Sequence, residues 1–181
     1  MRIAILSDTH FPGRGSVLPQ PCIDVIARSD LVVHAGDLAD MATLTLLRGL
    51  GQPLVAVHGN ADDDGVRQAL PATAEVELPG LTLAVVHNGG PEQGRLGRMR
   101  GRFPGAGGVV FGHSHIPLYE QAPDGFFILN PGSATDRRRQ PRHSMVELTV
   151  VRGRAPKVAF LAVDEPSGPL PDELVRGGAL P

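Results

Sequence analysis

A chain of 181 residues with 41% hydrophobic and 20% charged side chains can bury one sizeable core and is too apolar to be disordered throughout. Its formal charge of −2 gives no global pull toward nucleic acid or an anionic membrane, so stable nucleic-acid binding is not expected and any anion must be bound locally. A single cysteine, Cys22, excludes both an internal disulfide and a cysteine-based zinc site.

Arg2 to Ser7 reads as a buried strand, with an apolar run too short for a signal peptide or a bilayer span, so the expected location is the cytoplasm, away from membranes. It ends in Asp8, Thr9 and His10, and Phe11-Pro12-Gly13 turns the chain away. Between Ser16 and Arg28 the apolar spacing predicts a helix facing the core, with Pro19 and Pro21 delaying its start. Leu31 to Ala35 is a second buried strand closed by Gly36-Asp37, and Ala39 to Leu50 a second helix ending at Gly51 and Pro53. Leu54 to Val57 is a third strand, closed by His58-Gly59-Asn60-Ala61-Asp62, and Asp62 to Leu70 a short helix with acidic residues in its first turn. Strand and helix alternating in this way predict a largely parallel sheet, in which functional residues gather at the carboxyl ends of the strands.

The remainder reads as β-rich. Glu75–Leu78 and Leu81–Val86 form a hairpin around Pro79-Gly80, and the second strand runs into His87-Asn88-Gly89. Gly94 to Arg102 is a glycine-broken, arginine-rich helix or loop, followed by the short strand Val109 to Phe111, Gly112, and then His113-Ser114-His115 before Pro117. Leu118–Ala122 with Phe126–Leu129, and Met145–Val151 with Lys157–Val163, predict two further antiparallel pairs. The expected domain covers residues 1–164, and 165–181 is a Pro/Gly-rich tail with at most a short helix.

Asp8, His10, Asp37, Asn60, His87, His113 and His115 thus occupy five places, each just past an apolar run. Alone, His113-Ser114-His115 reads first as two solvated loop histidines. Together, the carboxylate, amide and imidazole groups of all these residues, without thiolate, suit Mn²⁺, Fe²⁺, Co²⁺, Ni²⁺ or Zn²⁺ rather than Ca²⁺ or Mg²⁺ alone. Seven donors exceed what one tetrahedral ion uses and suit two divalent ions, with manganese expected first; such a pair can clamp the attacking and leaving oxygens of a displacement at phosphorus.

Asp8-Thr9-His10, Gly36-Asp37, Gly59-Asn60, His87, Gly112-His113-Ser114-His115 and Asn130-Pro131-Gly132-Ser133 resemble the blocks of the calcineurin-like metallophosphoesterases, in particular the small YfcE-type phosphodiesterases related to the retromer subunit Vps29. The resemblance implies an α/β (α+β) fold: a four-layer α/β/β/α sandwich with two mixed sheets. It also implies that Asp8, His10 and His115 hold one ion, that Asn60, His87 and His113 hold the other, and that Asp37 bridges them. A bridging water would attack phosphorus, with Asn60 and the ions stabilising charge on the phosphoryl oxygens.

Two blocks depart from that pattern. Ala61 stands where many members have a histidine able to assist the leaving group and the small phosphodiesterases commonly have cysteine, and His87-Asn88-Gly89 replaces His-Gly-His. His58 occupies a position where arginine is more usual; it either stands in for that charge near the phosphate and assists catalysis, or packs at a strand end. His34 reads as a residue that orients Asp37 rather than a ligand, Asn130 as part of a turn shaping the wall of the site, and His143 as an ordinary strand-entry residue. Arg95, Arg98 and Arg102 form one basic cluster and Arg137, Arg138, Arg139 and Arg142 another; both are either solvated surface or flanks for a phosphate-ester or nucleotide substrate, with Arg137 to Arg139 its expected contacts. Two functions follow, a metal-dependent phosphodiesterase or phosphatase and a protein-binding scaffold like Vps29 with an idle metal site; self-association into a homo-oligomer stays open.

Overall fold

The computed structural model describes residues 1–10 and 18–177. The Phe11-Pro12-Gly13 turn and the first two residues of the Ser16–Arg28 segment lie outside them. In chain order the elements are β1 (Arg2–Leu6), α1 (Gln20–Ala27), β2 (Leu31–His34), α2 (Met41–Gly49), β3 (Leu54–Ala56), α3 (Asp64–Ala69), β4 (Thr73–Leu78), β5 (Leu81–Val86), α4 (Arg95–Arg102), β6 (Gly108–Val110), β7 (Leu118–Gln121), β8 (Phe127–Asn130), β9 (Ser144–Thr149), β10 (Lys157–Ala162), β11 (Gly168–Pro169) and β12 (Arg176–Gly177), with one 3₁₀ turn at Asp172–Leu174. Local chemistry sets the helix starts. The Asp40 carboxylate accepts the Thr43 amide hydrogen at 2.9 Å, and the Asp63 carboxylate accepts that of Val66 at 2.8 Å. Proline in the first turn of α1 delays that helix as its spacing predicts.

Two six-stranded sheets stack, one in the order β11-β10-β9-β1-β2-β3 and the other β12-β7-β8-β6-β5-β4. Because side chains alternate along a strand, each sheet feeds two cores. Ile3, Ile5 and Val33 meet Leu83, Val85, Val110, Phe127 and Leu129 between the sheets. On the outer face of the first sheet Ala4, Leu6 and Val32 pack on Leu18, Cys22, Val25, Ile26, Leu44 and Leu47, the apolar sides of α1 and α2 and the segment leading into α1. On the outer face of the second, Ala84, Val109 and Ile128 pack on Met99 and Phe103 at α4. The result is the four-layer sandwich with two mixed sheets.

The division into a parallel first half and an antiparallel second half does not hold sheet by sheet. Strands β1, β2 and β3 are parallel, but β9 joins β1 antiparallel in the same sheet. In the other sheet β6 lies between β5 and β8, parallel to both. The arginine-rich segment forms a continuous helix, α4, which serves as the crossover from β5 to β6. The described part of the tail, 165–177, contains more than the short helix expected: β11 pairs with β10, and β12 runs parallel to β7. Among the described residues no helix is long and apolar enough to cross a membrane.

Candidate metal centre

The carboxyl ends of β1, β2, β3, β5 and β6 open onto one edge of the sandwich, and there the backbone bends sharply. Asp8, His10, Asp37, His113 and His115 all have positive φ, between 49° and 69°. Each such residue costs about 1 kcal/mol or more outside glycine. The loops are held in place by pairing to one another. The Asp8 amide donates to the Gly36 carbonyl at 2.9 Å, that of His10 to Asp37 at 3.0 Å, and that of Gly112 to His87 at 2.9 Å.

Two groups of donors result. In one, the His115 Nε2 lies 3.4 Å from Asp8 Oδ1 and 3.3 Å from the His10 Nε2, with the two rings stacked. In the other, the His87 Nε2 lies 3.3 Å from Asp37 Oδ2 and 3.0 Å from Asn60 Oδ1, and the edge of one ring in the His87–His113 pair meets the face of the other. Within each of the triads Asp8, His10, His115 and Asp37, His87, His113 the donor atoms fall within 4.8 Å of one another. Asp37 stands between them, its Oδ2 also 3.7 Å from the His10 Nε2. The structure therefore brings all seven residues to one place.

The far side of each ring determines what the near side offers. The His87 Nδ1–H donates to the Ala35 carbonyl at 2.8 Å and the His115 Nδ1–H to that of Asp136, which leaves each Nε2 facing the cluster. Burial, with His87 nearby, lowers the pKa of His113, and burial, with His10 and Arg138 nearby, lowers that of His115, so both are neutral as ligation requires. Burial raises Asp8 to about 7, against the pull of His87 and the Ser7 hydroxyl. Burial opposes the remaining two shifts, but the Asp37–His87 hydrogen bond overrides it, lowering Asp37 and raising His87. A buried, acid-rich pocket faced by imidazole lone pairs fits divalent cations, which would relieve the desolvation of Asp8.

Supporting groups complete the cluster. The amide of His113 donates to the Asp8 carboxylate at 3.0 Å and that of Ala61 to Asp37 Oδ1 at 2.7 Å, so position 61 contributes through its backbone. Asn88 turns the loop after His87 by accepting the Gly90 amide hydrogen at 2.7 Å. His34 is fully buried; its Nδ1 accepts the Gly36 amide hydrogen at 3.2 Å and its Nε2 faces the Thr9 hydroxyl at 3.2 Å. It thus ties the Asp8–His10 loop to the Asp37 loop. Asn130 donates to the Gly112 carbonyl at 2.8 Å, bracing the His113 turn. His143 lies elsewhere, paired with Asp164 at 2.6 Å.

Asp62 is the residue that sequence reasoning missed. It stands outside α3, and its carboxylate accepts amide hydrogens from Gly59 at 2.6 Å, Ala39 at 2.7 Å and Asp37 at 3.1 Å. Its only signal was its place two residues after Asn60, which a helix start explains equally well.

The remaining predicted residues divide. His58 lines a cleft next to Asn60 and His87, and its Nδ1 is buried without a hydrogen-bond partner among the described residues. Arg137, Arg138 and Arg139 are exposed; Arg138 pairs with Asp136 at 3.0 Å and is the one whose charge reaches His113 and His115. Arg95 donates to the Gly90 carbonyl at 3.0 Å and Arg98 to those of Gln93 and Pro91, so both fasten the loop between β5 and α4.

A two-sheet sandwich carrying this donor cluster at one edge is the layout of a metallophosphoesterase. Residues 1–153 match the calcineurin-like phosphoesterase superfamily domain, and the chain belongs to that family. A probable metallophosphoesterase of Methanothermobacter thermautotrophicus is 31% identical over 99% of this chain and 94% of its own length. One of Methanocaldococcus jannaschii is 34% identical over 83% of this chain and 76% of its own length. Among solved structures, Vps29 of Entamoeba histolytica complexed with Zn²⁺ is similar with a TM-score of 0.79 at 22% identity, covering 94% of this chain and 97% of that one. The protein is thus a metallophosphoesterase-family hydrolase with a candidate divalent-metal centre.

Proposed function

We propose that the protein is a phosphodiesterase using two divalent ions, manganese foremost, to hydrolyse phosphate esters of small molecules or nucleotides. The observation that carries this reading is the convergence of two donor triads on Asp37. In this reading Asp8, His10 and His115 hold one ion, Asn60, His87 and His113 the other, and Asp37 is shared. Two ions bound there supply Lewis acidity to the phosphoryl oxygens and an acidified water as nucleophile. The chain's own residues supply position. Asp62 and His34 fix the Asp37 loop from behind, and Arg67 holds the Asn60 carbonyl at 2.6 Å, which steadies the amide that stabilises phosphoryl charge. His58 borders the reacting region, and Arg138, with Arg137 and Arg139 beside it, offers positive charge to an incoming anion. Position 61 carries no acid, so esters with leaving groups of low pKa should react best.

Hydrolysis of bis(p-nitrophenyl) phosphate in Mn²⁺ tests the proposal. Asp37→Ala and His113→Ala should each lower kcat/KM by at least about 100-fold, as expected when a metal ligand is lost. Protein that neither binds Mn²⁺ nor turns over with it would favour the second reading, a protein-binding scaffold like Vps29, which the shared sandwich supports and the complete donor set does not require.

A further inference from the structure

We propose that the cleft beside Asn60 and His87 binds a second anionic group of the substrate, and that Arg102 is the residue that selects it. This rests on the phosphoesterase reading for the position of the reacting phosphorus, not for the chemistry of the cleft.

The cleft is an open depression of about 310 Å³ that shares Asn60 and His87 with the candidate metal centre, so whatever fills it adjoins the reacting phosphate. That space is enough for the sugar-phosphate part of an ester. His58, Arg67, Asn88 and Arg102 supply its other polar walls, and among the described residues no carboxylate lines it. Arg67 donates to the carbonyls of Asp62 and Asn60, neutral acceptors that leave its charge uncompensated. Asn88 uses its oxygen on the Gly90 amide, which leaves its NH₂ as the free donor.

Arg102 differs from the other arginines of α4. Arg95 and Arg98 are tied to loop carbonyls and Arg100 pairs with Asp124. Arg102 has no hydrogen-bond or ion-pair partner among the described residues; its guanidinium carbon lies 5.2 Å from the centre of the Phe103 ring, which pre-orients it without neutralising it. An unpaired guanidinium in a carboxylate-free cleft beside a phosphoryl site matches a phosphate or carboxylate carried on the ester's organic part. The substrate class is therefore a phosphate ester bearing a further anionic group within one sugar's reach of the reacting phosphorus.

The 5′-(p-nitrophenyl) ester of thymidine monophosphate, with and without a 3′-phosphate, separates this from a general attraction for anions. In Mn²⁺ at fixed ionic strength, the wild-type protein should favour the 3′-phosphorylated ester in kcat/KM by roughly tenfold, mostly through KM, the scale of one charge-assisted contact. Arg102→Ala should bring that ratio to near one, and Arg102→Lys should keep part of it. A wild-type ratio near one, a ratio that survives Arg102→Ala, or one that instead collapses in Arg138→Ala overturns the assignment. Calorimetric titration of the Mn²⁺-loaded protein with thymidine 3′,5′-bisphosphate and thymidine 5′-monophosphate reads the same preference without turnover. An Arg102-dependent binding ratio with no hydrolysis would sink the enzyme reading and leave the cleft assignment standing; hydrolysis with no ratio would do the reverse.

Discussion

Enclosed between Thr9 and Gly36, His34 is held neutral, its pKa lowered to about 3 by burial, with His87 nearby. The unfolded chain protonates this ring below about pH 6.5 while the folded one does not. Stability therefore falls as pH drops from 6.5 toward 3, by at most about 1.4 kcal/mol per pH unit from this residue. Asp8 titrates in the opposite sense over the same range, so the His34 contribution is read as a difference: in urea unfolding at pH 7, 6 and 5 the wild type should lose stability relative to His34→Gln, whose amide cannot titrate. Asp62 works at the same scale with the opposite legibility. His34 could be placed from its position just before Gly36-Asp37, whereas the three amides that Asp62 accepts, from positions 37, 39 and 59, leave no mark on the residues next to it.

Between strand β3 and helix α3, Gly59 passes so close to the Asp37 loop that a methyl group there would lie 2.1 Å from Asp37 Oδ1 and 2.7 Å from its amide nitrogen. Gly97, on the solvent side of α4, would meet nothing within 4 Å. The same substitution should therefore act in opposite directions. Gly59→Ala should abolish Mn²⁺ binding, read by calorimetry, while Gly97→Ala should raise the thermal midpoint by an amount equivalent to about 0.5–1 kcal/mol. Elements bounded by strong local signals were legible: β1, β2, β3 and β5 are apolar runs cut off by polar residues, and the hairpin turns at Gly80 and Gly125 have the positive φ that glycine permits. The position of β6 between β5 and β8 was not, because strand neighbours are chosen by long-range pairing and not by composition. Nor were β11 and β12, since two residues are too few to show any period. The donor set was legible because its members follow apolar runs, but the cleft was not, because it forms only when α4 lies beside the loop after β3.

Across the whole molecule, each donor triad draws on both sheets: Asp8 and His10 follow β1 and Asp37 follows β2 in one, while His87 follows β5, and His113 and His115 follow β6, in the other. An ion held by either triad would clasp the sandwich at one edge. Manganese at about 100 times its Kd should stabilise the fold by about 2.7 kcal/mol, seen as a higher thermal midpoint that a chelator reverses and Asp37→Ala greatly reduces. The gain should be larger at pH 8 than at pH 5.5. Asp8 has a folded pKa near 7, above its ordinary value, so the metal-free fold loses stability as pH rises toward 7, and at low pH its proton competes with the cation. The left-handed backbone at Asp8, His10, Asp37, His113 and His115 carries a further consequence. Torsions that individually disfavoured residues hold are maintained by the packed sheets beneath them, so the centre is only as well shaped as its foundation is firm. A cavity cut deep between the sheets, far from any donor, would let those five turns relax, and grip on the ions would slacken well before the chain came apart.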